Sequence, residues 1–295
     1  MADPADAFRL DRGKLRASFE RASASYESAA GLQARVAAEL LERTEAFGFE
    51  PRVVLDLGAG TGRVTRELRR RYRGALVVAL DIAFGMLREA RRHQLLWRRF
   101  ERLCGDALRL PLKDGSVDLV FSSLVLQWCE PLERALSEVR RVLKPDGFFA
   151  FSTFGPNTLH ELRSAWAQVD EYNHVNHFLD VHDVGDALVH AGLVEPVLDV
   201  EHIELGYSDM LALMRDLKAI GAHNVTAGRP RALAGRARLA RVSEAYEGFR
   251  RAQRLPATYE VIYGASWGAA GRPAVAATGG VAHIAPGSIR RAGRP

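Results

Sequence analysis

The sequence predicts an α/β protein built on an open, mainly parallel sheet with helices on both faces and a helical segment in front. Three features predict it. Val53-Val54-Leu55-Asp56-Leu57 is a short apolar run with one acid. It leads into Gly58-Ala59-Gly60-Thr61-Gly62, and then into Arg63-Val64-Thr65-Arg66-Glu67-Leu68, which reads as the start of a helix. Ala75-Leu76-Val77-Val78-Ala79-Leu80-Asp81 is a second apolar run that ends in an acid. Runs without polar alternation are the mark of strands covered on both faces. Beyond them strands and helices alternate as far as residue 153, so the crossovers are expected to be right-handed. A sheet of this kind opens its ligand crevice at the carboxyl ends of its strands.

The elements follow in order. Residues 8–46 read as helix, with Leu32, Val36 and Leu40 four apart and Ala37 and Leu41 beside them. Phe19 and Tyr26 upstream either pack on the next domain or belong to a lid, where the Tyr26 hydroxyl and the Gln33 amide could donate hydrogen bonds. Residues 52–57 form the first strand and 75–81 the second, and a helix follows over 84–96. A third strand closes at Arg102-Leu103-Cys104, before Gly105-Asp106-Ala107. Asp114-Gly115-Ser116 is a turn, and residues 117–123 are the fourth strand. Leu124-Val125-Leu126-Gln127-Trp128-Cys129 emerges at its carboxyl end. A helix over 133–143 is expected to stop at Lys144-Pro145-Asp146-Gly147, with a fifth strand over 148–153.

The pattern then loosens. Residues 157–169 read as helix, and 170–183 are polar and histidine-rich. The histidines lack carboxylates in helical register, so no metal site is expected. A helix over 183–191 ends at Gly192, and 194–205 alternate as a strand near an edge does. In the amphipathic helix over 207–220, Tyr207, Leu211, Met214 and Leu217 share a face, with Arg215 and Lys218 at its margins. Those cations either snorkel along a core edge or meet an anion at a pocket rim. Residues 229–254 are arginine-rich and helical, and 255–263 alternate as the last strand. The expected organisation is a helical lid over 1–48, a cofactor-binding core over 49–155, recognition helices and the last strands over 156–267, and a disordered tail over 268–295.

Composition bounds the function. The chain has 295 residues, 47% of them hydrophobic, and no run approaches the roughly 18 apolar residues of a membrane span. Asp3, Asp6 and Asp11 argue against a secretory or mitochondrial leader, so a cytoplasmic protein is expected. The two cysteines, Cys104 and Cys129, make no framework, and Cys104 is expected to be a buried, reduced thiol. The net charge is +5 and comes almost wholly from arginine; the lysines are Lys14, Lys113, Lys144 and Lys218. Arginine abundance of this kind does not itself indicate a nucleic-acid partner, though it suits an acidic partner or an anionic substrate.

The glycine loop narrows the ligand. A dinucleotide fingerprint running from Gly58 and Gly60 requires glycine at position 63, where this chain has Arg63. The spacing is instead D-x-G-x-G-x-G from Asp56 to Gly62. Asp81 lies 25 residues after Asp56 and is placed to accept two ribose hydroxyls, or else to cap the next helix.

The glycine loop, Asp81, Gly105-Asp106-Ala107 and Leu143-Lys144-Pro145-Asp146-Gly147 together resemble the class I S-adenosylmethionine-dependent methyltransferases of Rossmann-like fold. More distinctive strings lie outside that core. They include Phe154-Gly155-Pro156-Asn157-Thr158-Leu159, His174-Val175-Asn176, Met214-Arg215-Asp216-Leu217-Lys218 and Leu255-Pro256-Ala257-Thr258-Tyr259. On these the chain resembles the BioC family, the malonyl-acyl-carrier-protein O-methyltransferases of biotin synthesis, over residues 19–267. The complex I assembly factors that hydroxylate an arginine share some of the strings. The chain departs from them at Met214-Arg215-Asp216-Leu217-Lys218 and His174-Val175-Asn176.

The resemblance implies a seven-stranded sheet and S-adenosyl-L-methionine as cofactor. It implies cofactor contacts at Asp56, Gly58, Gly60, Gly62, Asp81, Ile82, Met86, Asp106, Ala107 and Ser123, with Asp106, unless it is only a turn residue, accepting from the adenine amino group. It also implies a malonyl-acyl carrier protein, an acidic partner, contacted through His174, Asn176, Arg215 and Lys218. A malonyl carboxylate has a pKa of about 4 and is already ionised at neutral pH. No general base is therefore expected, and Tyr26, Gln33, Gln127 and Trp128 are expected to orient it. Neither nucleic acid nor membrane is an expected partner. The alternatives are a methyltransferase of another small carboxylate or a quinone, and a non-catalytic S-adenosylmethionine-binding scaffold. An RNA methyltransferase fits less well, because the positive charge is spread along the chain.

Overall fold

The computed structural model describes residues 10–48, 50–95, 97, 99–222, 224, 226 and 235–268. They form a seven-stranded sheet of order β3-β2-β1-β4-β5-β7-β6. β1 (Val53–Leu57), β2 (Leu76–Asp81), β3 (Glu101–Cys104), β4 (Val117–Ser123) and β5 (Leu143–Phe154) are parallel neighbours. β7 (Leu255–Trp267) enters antiparallel between β5 and the edge strand β6 (Val194–Tyr207).

Strand alternation sends successive side chains to opposite faces. Val54, Val77, Ala79, Leu119, Phe121 and Phe148 face one core. It is covered by α3 (Gly31–Glu45), α4 (Arg63–Arg71) and α5 (Phe84–Arg92). Leu55, Leu57, Leu80, Val120, Phe149 and Phe151 face the other, beneath α6 (Leu132–Val142) and α8 (Val181–His190). Each buried Leu or Phe contributes about 1.5–3 kcal/mol.

Several expected elements are divided or shifted. The described part of the helical segment expected over 8–46 forms α1 (Arg12–Ala22), α2 (Tyr26–Ala29) and α3, and residues 8 and 9 lie outside the described residues. Asp11 caps α1 by accepting from the Lys14 amide at 3.0 Å. α5 stops at Arg92, short of residue 96. The stop expected at Lys144-Pro145-Asp146-Gly147 is extended backbone that belongs to β5, and Leu143 already pairs with Val117. α7 (His160–Ala167) is shorter than expected because Leu159 turns left-handed at its N-terminus. α8 starts at Val181, where Asp180 accepts from the Asp183 amide. Tyr207 ends β6, and α9 (Met210–Ala219) begins after Asp209, whose carboxylate accepts from the Ala212 amide at 2.8 Å. α10 (Arg236–Glu247) covers part of the arginine-rich segment, and residues 248–254 are not helical. The expected tail lies, apart from Gly268, outside the described residues.

Cys104 is exposed rather than buried, because β3 is the outermost strand and has β2 alone beside it. Among the described residues, no helix is long and apolar enough to cross a membrane.

Candidate active site

At the carboxyl ends of β1, β2 and β4 the chain encloses a cavity of about 1360 Å³. The glycine loop forms its floor. The Gly58 and Ala59 amides donate to the Leu80 carbonyl at 2.8 and 2.9 Å, which lays the loop over the end of β2. Gly58 has φ +75°, and a Cβ there would lie 2.1 Å from the Val125 side chain. Both facts call for glycine at this position, since left-handed backbone costs other residues about 1–2 kcal/mol.

Asp81 stands at the end of β2 and lines the cavity. Its carboxylate accepts from the Gly60 amide at 2.9 Å and the Ala83 amide at 2.8 Å. Burial pushes its pKa up to about 6, while the amides of Ala83 and Gly60 pull the other way. Asp56 and Gly62 do not line the cavity. Asp56, 2% exposed, accepts from the Thr65 hydroxyl at 2.5 Å and so ties β1 to α4 beneath the loop. Burial pushes its pKa up to about 7 against that hydrogen bond. Gly62 opens α4 with φ +76°, and a Cβ there would sit 2.9 Å from that of Ala90. Ile82, Met86, Asp106, Ala107 and Ser123 line the same part of the cavity as Asp81, with Met86 fully buried. Asp106 forms an ion pair with Arg12 and accepts from the Leu108 amide at 2.9 Å.

α1 roofs this end. Glu20 accepts from the Gly85 amide at 2.9 Å and so caps α5 from outside. The Ser18 hydroxyl donates to the Gly221 carbonyl at 2.9 Å, and Phe19 meets the edge of Trp128 at 5.5 Å between ring centroids. Glu27 on α2 accepts from the Thr61 hydroxyl and pairs with Arg63 and Arg66.

All four expected orienting residues line the cavity. Tyr26 faces Gly60, and burial, reinforced by Asp81 and Glu27, holds its phenol above the ordinary value. Gln127 accepts from the Thr153 hydroxyl at 3.3 Å and donates to the Leu124 carbonyl at 2.7 Å. Trp128 stands on a short 3-10 helix, Leu126–Trp128.

The cavity continues into a second lobe between α7, α9 and β7, walled by Leu162, Phe178, Met214, Leu217 and Tyr259. His174 and Asn176 line it. The His174 ring stacks on Trp166 with centroids 3.5 Å apart, and its Nε2 bonds Asp170 at 2.8 Å. α9 shows what its apolar face packs against. Its fully buried positions are Met210 and Leu213, whereas Leu211 is 52% exposed. Leu211, Met214, Leu217, Arg215 and Lys218 line the cavity, while Tyr207, Met214 and Leu217 also pack against the core, so the apolar stripe lies where core and cavity meet. Arg215 and Lys218 are exposed at its margin, beside Arg21 of α1.

Arg12 and Tyr259 line the cavity, and Glu20 and Asp170 bond to Gly85 and His174 beside it, though periodicity singled out none of the four. Each acts on a partner distant in the chain or on a loop, and periodicity carries no signal for that. No group of three or more metal-binding side chains is present among the described residues.

Residues 55–151 match a family described as a methyltransferase domain. The malonyl-[acyl-carrier protein] O-methyltransferase of Halorhodospira halophila is 50% identical over 98% of this chain and 99% of its own length. That of Methylovorus sp. is also 50% identical, over 89% and 91%. The chain belongs to the malonyl-[acyl-carrier protein] O-methyltransferase family.

The biotin biosynthesis bifunctional protein BioHC of Cellvibrio japonicus is 44% identical over 86% of this chain and 50% of that longer protein. In solved structures the family's fold recurs in the YcgJ protein of Bacillus, with a TM-score of 0.58 at 15% identity over 80% of this chain and 99% of that one. At that identity the likeness bears on fold alone.

Proposed function

We propose that the chain methylates the free carboxylate of malonyl-acyl carrier protein with S-adenosylmethionine, making the methyl ester that begins pimeloyl synthesis for biotin. The observation that carries this reading is one cavity in which a strand-end acid, Asp81, and four neutral donors, Tyr26, Gln33, Gln127 and Trp128, come together.

The residues present suit the cofactor. Asp81 would take the ribose hydroxyls, Asp106 and Ala107 the adenine edge, and Ile82 and Met86 its faces. Gly58 and Gly60 provide the close backbone approach that a side chain would block. The bound cofactor supplies an electrophilic methyl group on a positively charged sulfur.

The chain's own task is alignment and exclusion of water. Tyr26, held protonated, is a donor at neutral pH. The Gln127 amide is fixed by Thr153 and Leu124 with one N–H to spare for a carboxylate oxygen. Neutral donors orient that oxygen without the ground-state stabilisation that a guanidinium clamp would add. Arg215 and Lys218 at the margin suit the phosphopantetheine phosphate or the acidic carrier surface.

The test is incubation with methyl-labelled cofactor and malonyl-carrier protein, malonyl-CoA or free malonate. Label is expected in an ester on the malonyl thioesters. Cofactor binding without esterification of any malonyl group would overturn the proposal. Rescue of growth without biotin, in a strain lacking this methylation, tests it in the cell.

A further inference from the structure

Between α7, α9 and β7 the cavity is lined mainly by apolar side chains, and among the described residues there one buried side-chain oxygen has no partner. Asn176 is 7% exposed, lines the cavity, and has no hydrogen-bond partner for its Oδ1. A buried polar atom left unpaired costs about 1–3 kcal/mol. A ligand that supplies the missing bond recovers it.

Asn176 stands in a built wall. Asp170 accepts from the Tyr172 amide at 3.0 Å and from His174, and both the Asp170 and His174 side chains are 11% exposed. Hydrogen bonds from His174 and Tyr172 outweigh burial and keep Asp170 ionised at neutral pH. Asn224 donates to the Asn173 carbonyl at 2.5 Å and accepts from the Thr226 amide at 2.8 Å, so two loops are laced together around the site. The rings of Phe154, Phe178 and Tyr259 line the same cavity, with Phe154 meeting Phe178 and Tyr259 at 5.6 and 5.7 Å between centroids.

The chemistry of the missing partner is restricted. A malonyl carboxylate and a thioester carbonyl are acceptors and cannot satisfy an acceptor. A side-chain amide offers one acceptor and one donor group whichever way it is turned. The matching ligand group is another amide, carried on an otherwise apolar arm. Resting on the function proposed above, we infer that Asn176 binds an amide of the pantetheine arm on which the malonyl group is carried, with the aromatic wall against its methylene and methyl carbons. The arm is common to carrier protein and coenzyme A, so the site recognises the acyl-pantetheine class.

The test compares Asn176→Ala and the isosteric Asn176→Asp on three substrates: malonyl-carrier protein, malonyl-CoA and a malonyl alkyl thioester without amides. Cofactor affinity is measured alongside by calorimetry. Asn176→Ala, which removes both donor and acceptor, is expected to raise KM at least tenfold for the two pantetheine substrates, and Asn176→Asp, which keeps the acceptor and loses the donor, to raise it less. Asn176→Ala is expected to leave kcat/KM on the alkyl thioester, and the cofactor Kd, unchanged. Equal losses on all three substrates, or no loss on any, would overturn the inference. Wild-type protein that esterifies none of the three would instead overturn the function on which it rests.

Discussion

At the scale of single residues, the two buried aspartates make opposite kinds of prediction. Asp81 lines the cavity with its pKa pushed up to about 6 by burial. Ribose hydroxyls donate to a carboxylate, so cofactor binding favours the ionised form. Below about pH 6 binding must also remove a proton. The cofactor Kd is therefore expected to fall up to tenfold per unit as pH rises, and to level off above that value. Asp81→Asn should bind weakly with no such dependence, as calorimetry across pH 5–8 would show. Asp56 does not touch the cavity, and its effect is on stability. Its folded pKa, pushed up to about 7, lies above the unfolded value of about 4. Between those limits the folded state holds the extra proton, so this group's contribution to stability falls as pH rises through the window. Asp56→Asn cannot ionise. Its stability relative to wild type is thus expected to rise from pH 4 to pH 7 in urea unfolding, and a flat difference would refute the assignment. Both acids were legible because each interrupts or ends an apolar run at a strand's carboxyl end. Which of them faces the ligand was not, because strand alternation fixes the face of the sheet and the loop alone decides what is covered.

At the scale of elements, α1 lies along the cavity, and Leu15, Ser18, Phe19 and Ala22 line it. Its ties include Arg12 to Asp106, Glu20 to the Gly85 amide, Ser18 to the Gly221 carbonyl, and the Phe19–Trp128 edge. Glu20 has a second effect, since its charge helps to raise the pKa of Asp81. Glu20→Gln keeps an acceptor for Gly85 and removes the charge; Glu20→Ala removes both. Stopped-flow release of the demethylated cofactor is expected to be several-fold faster in Glu20→Ala than in Glu20→Gln. Both variants should move the pH midpoint of cofactor binding downward, and a midpoint unmoved in both would exclude the electrostatic link. The strands were the most readable elements. β1, β2 and β4 are covered on both faces, and their apolar runs begin and end within a residue of the observed strands. What α9 packs against was left open for an equally physical reason. An amphipathic stripe announces an apolar face, but periodicity does not say whether a core or a cavity lies against it. The breaks between α1, α2 and α3 were invisible because Ser23-Ala24-Ser25 and Ala30-Gly31 fall without disturbing the helical period.

At the scale of the whole molecule, the sheet order gathers every loop of the site to one edge, and charge decides what approaches that edge. Forty-one lysines and arginines stand against 36 acids, a modest excess, so the placement of charge carries more information than its sum. Arg21, Arg215 and Lys218 are exposed at the cavity margin, on α1 and α9, the two elements that frame its entrance. Exposed cations of this kind contribute little to folding. They act instead on encounter with an anionic partner, and salt screens them over about 10 Å at 0.1 M. Replacing Arg215 and Lys218 together with glutamate is therefore expected to leave thermal unfolding within about 0.5 kcal/mol of wild type. KM for malonyl-carrier protein should rise at least tenfold at low salt, and the gap should narrow as salt increases. Malonyl-pantetheine, which has neither the phosphate nor the carrier, separates the two effects: its KM should not change. A loss of equal size on that small substrate would mean that the two cations shape the cavity itself, and that the carrier approaches from another side.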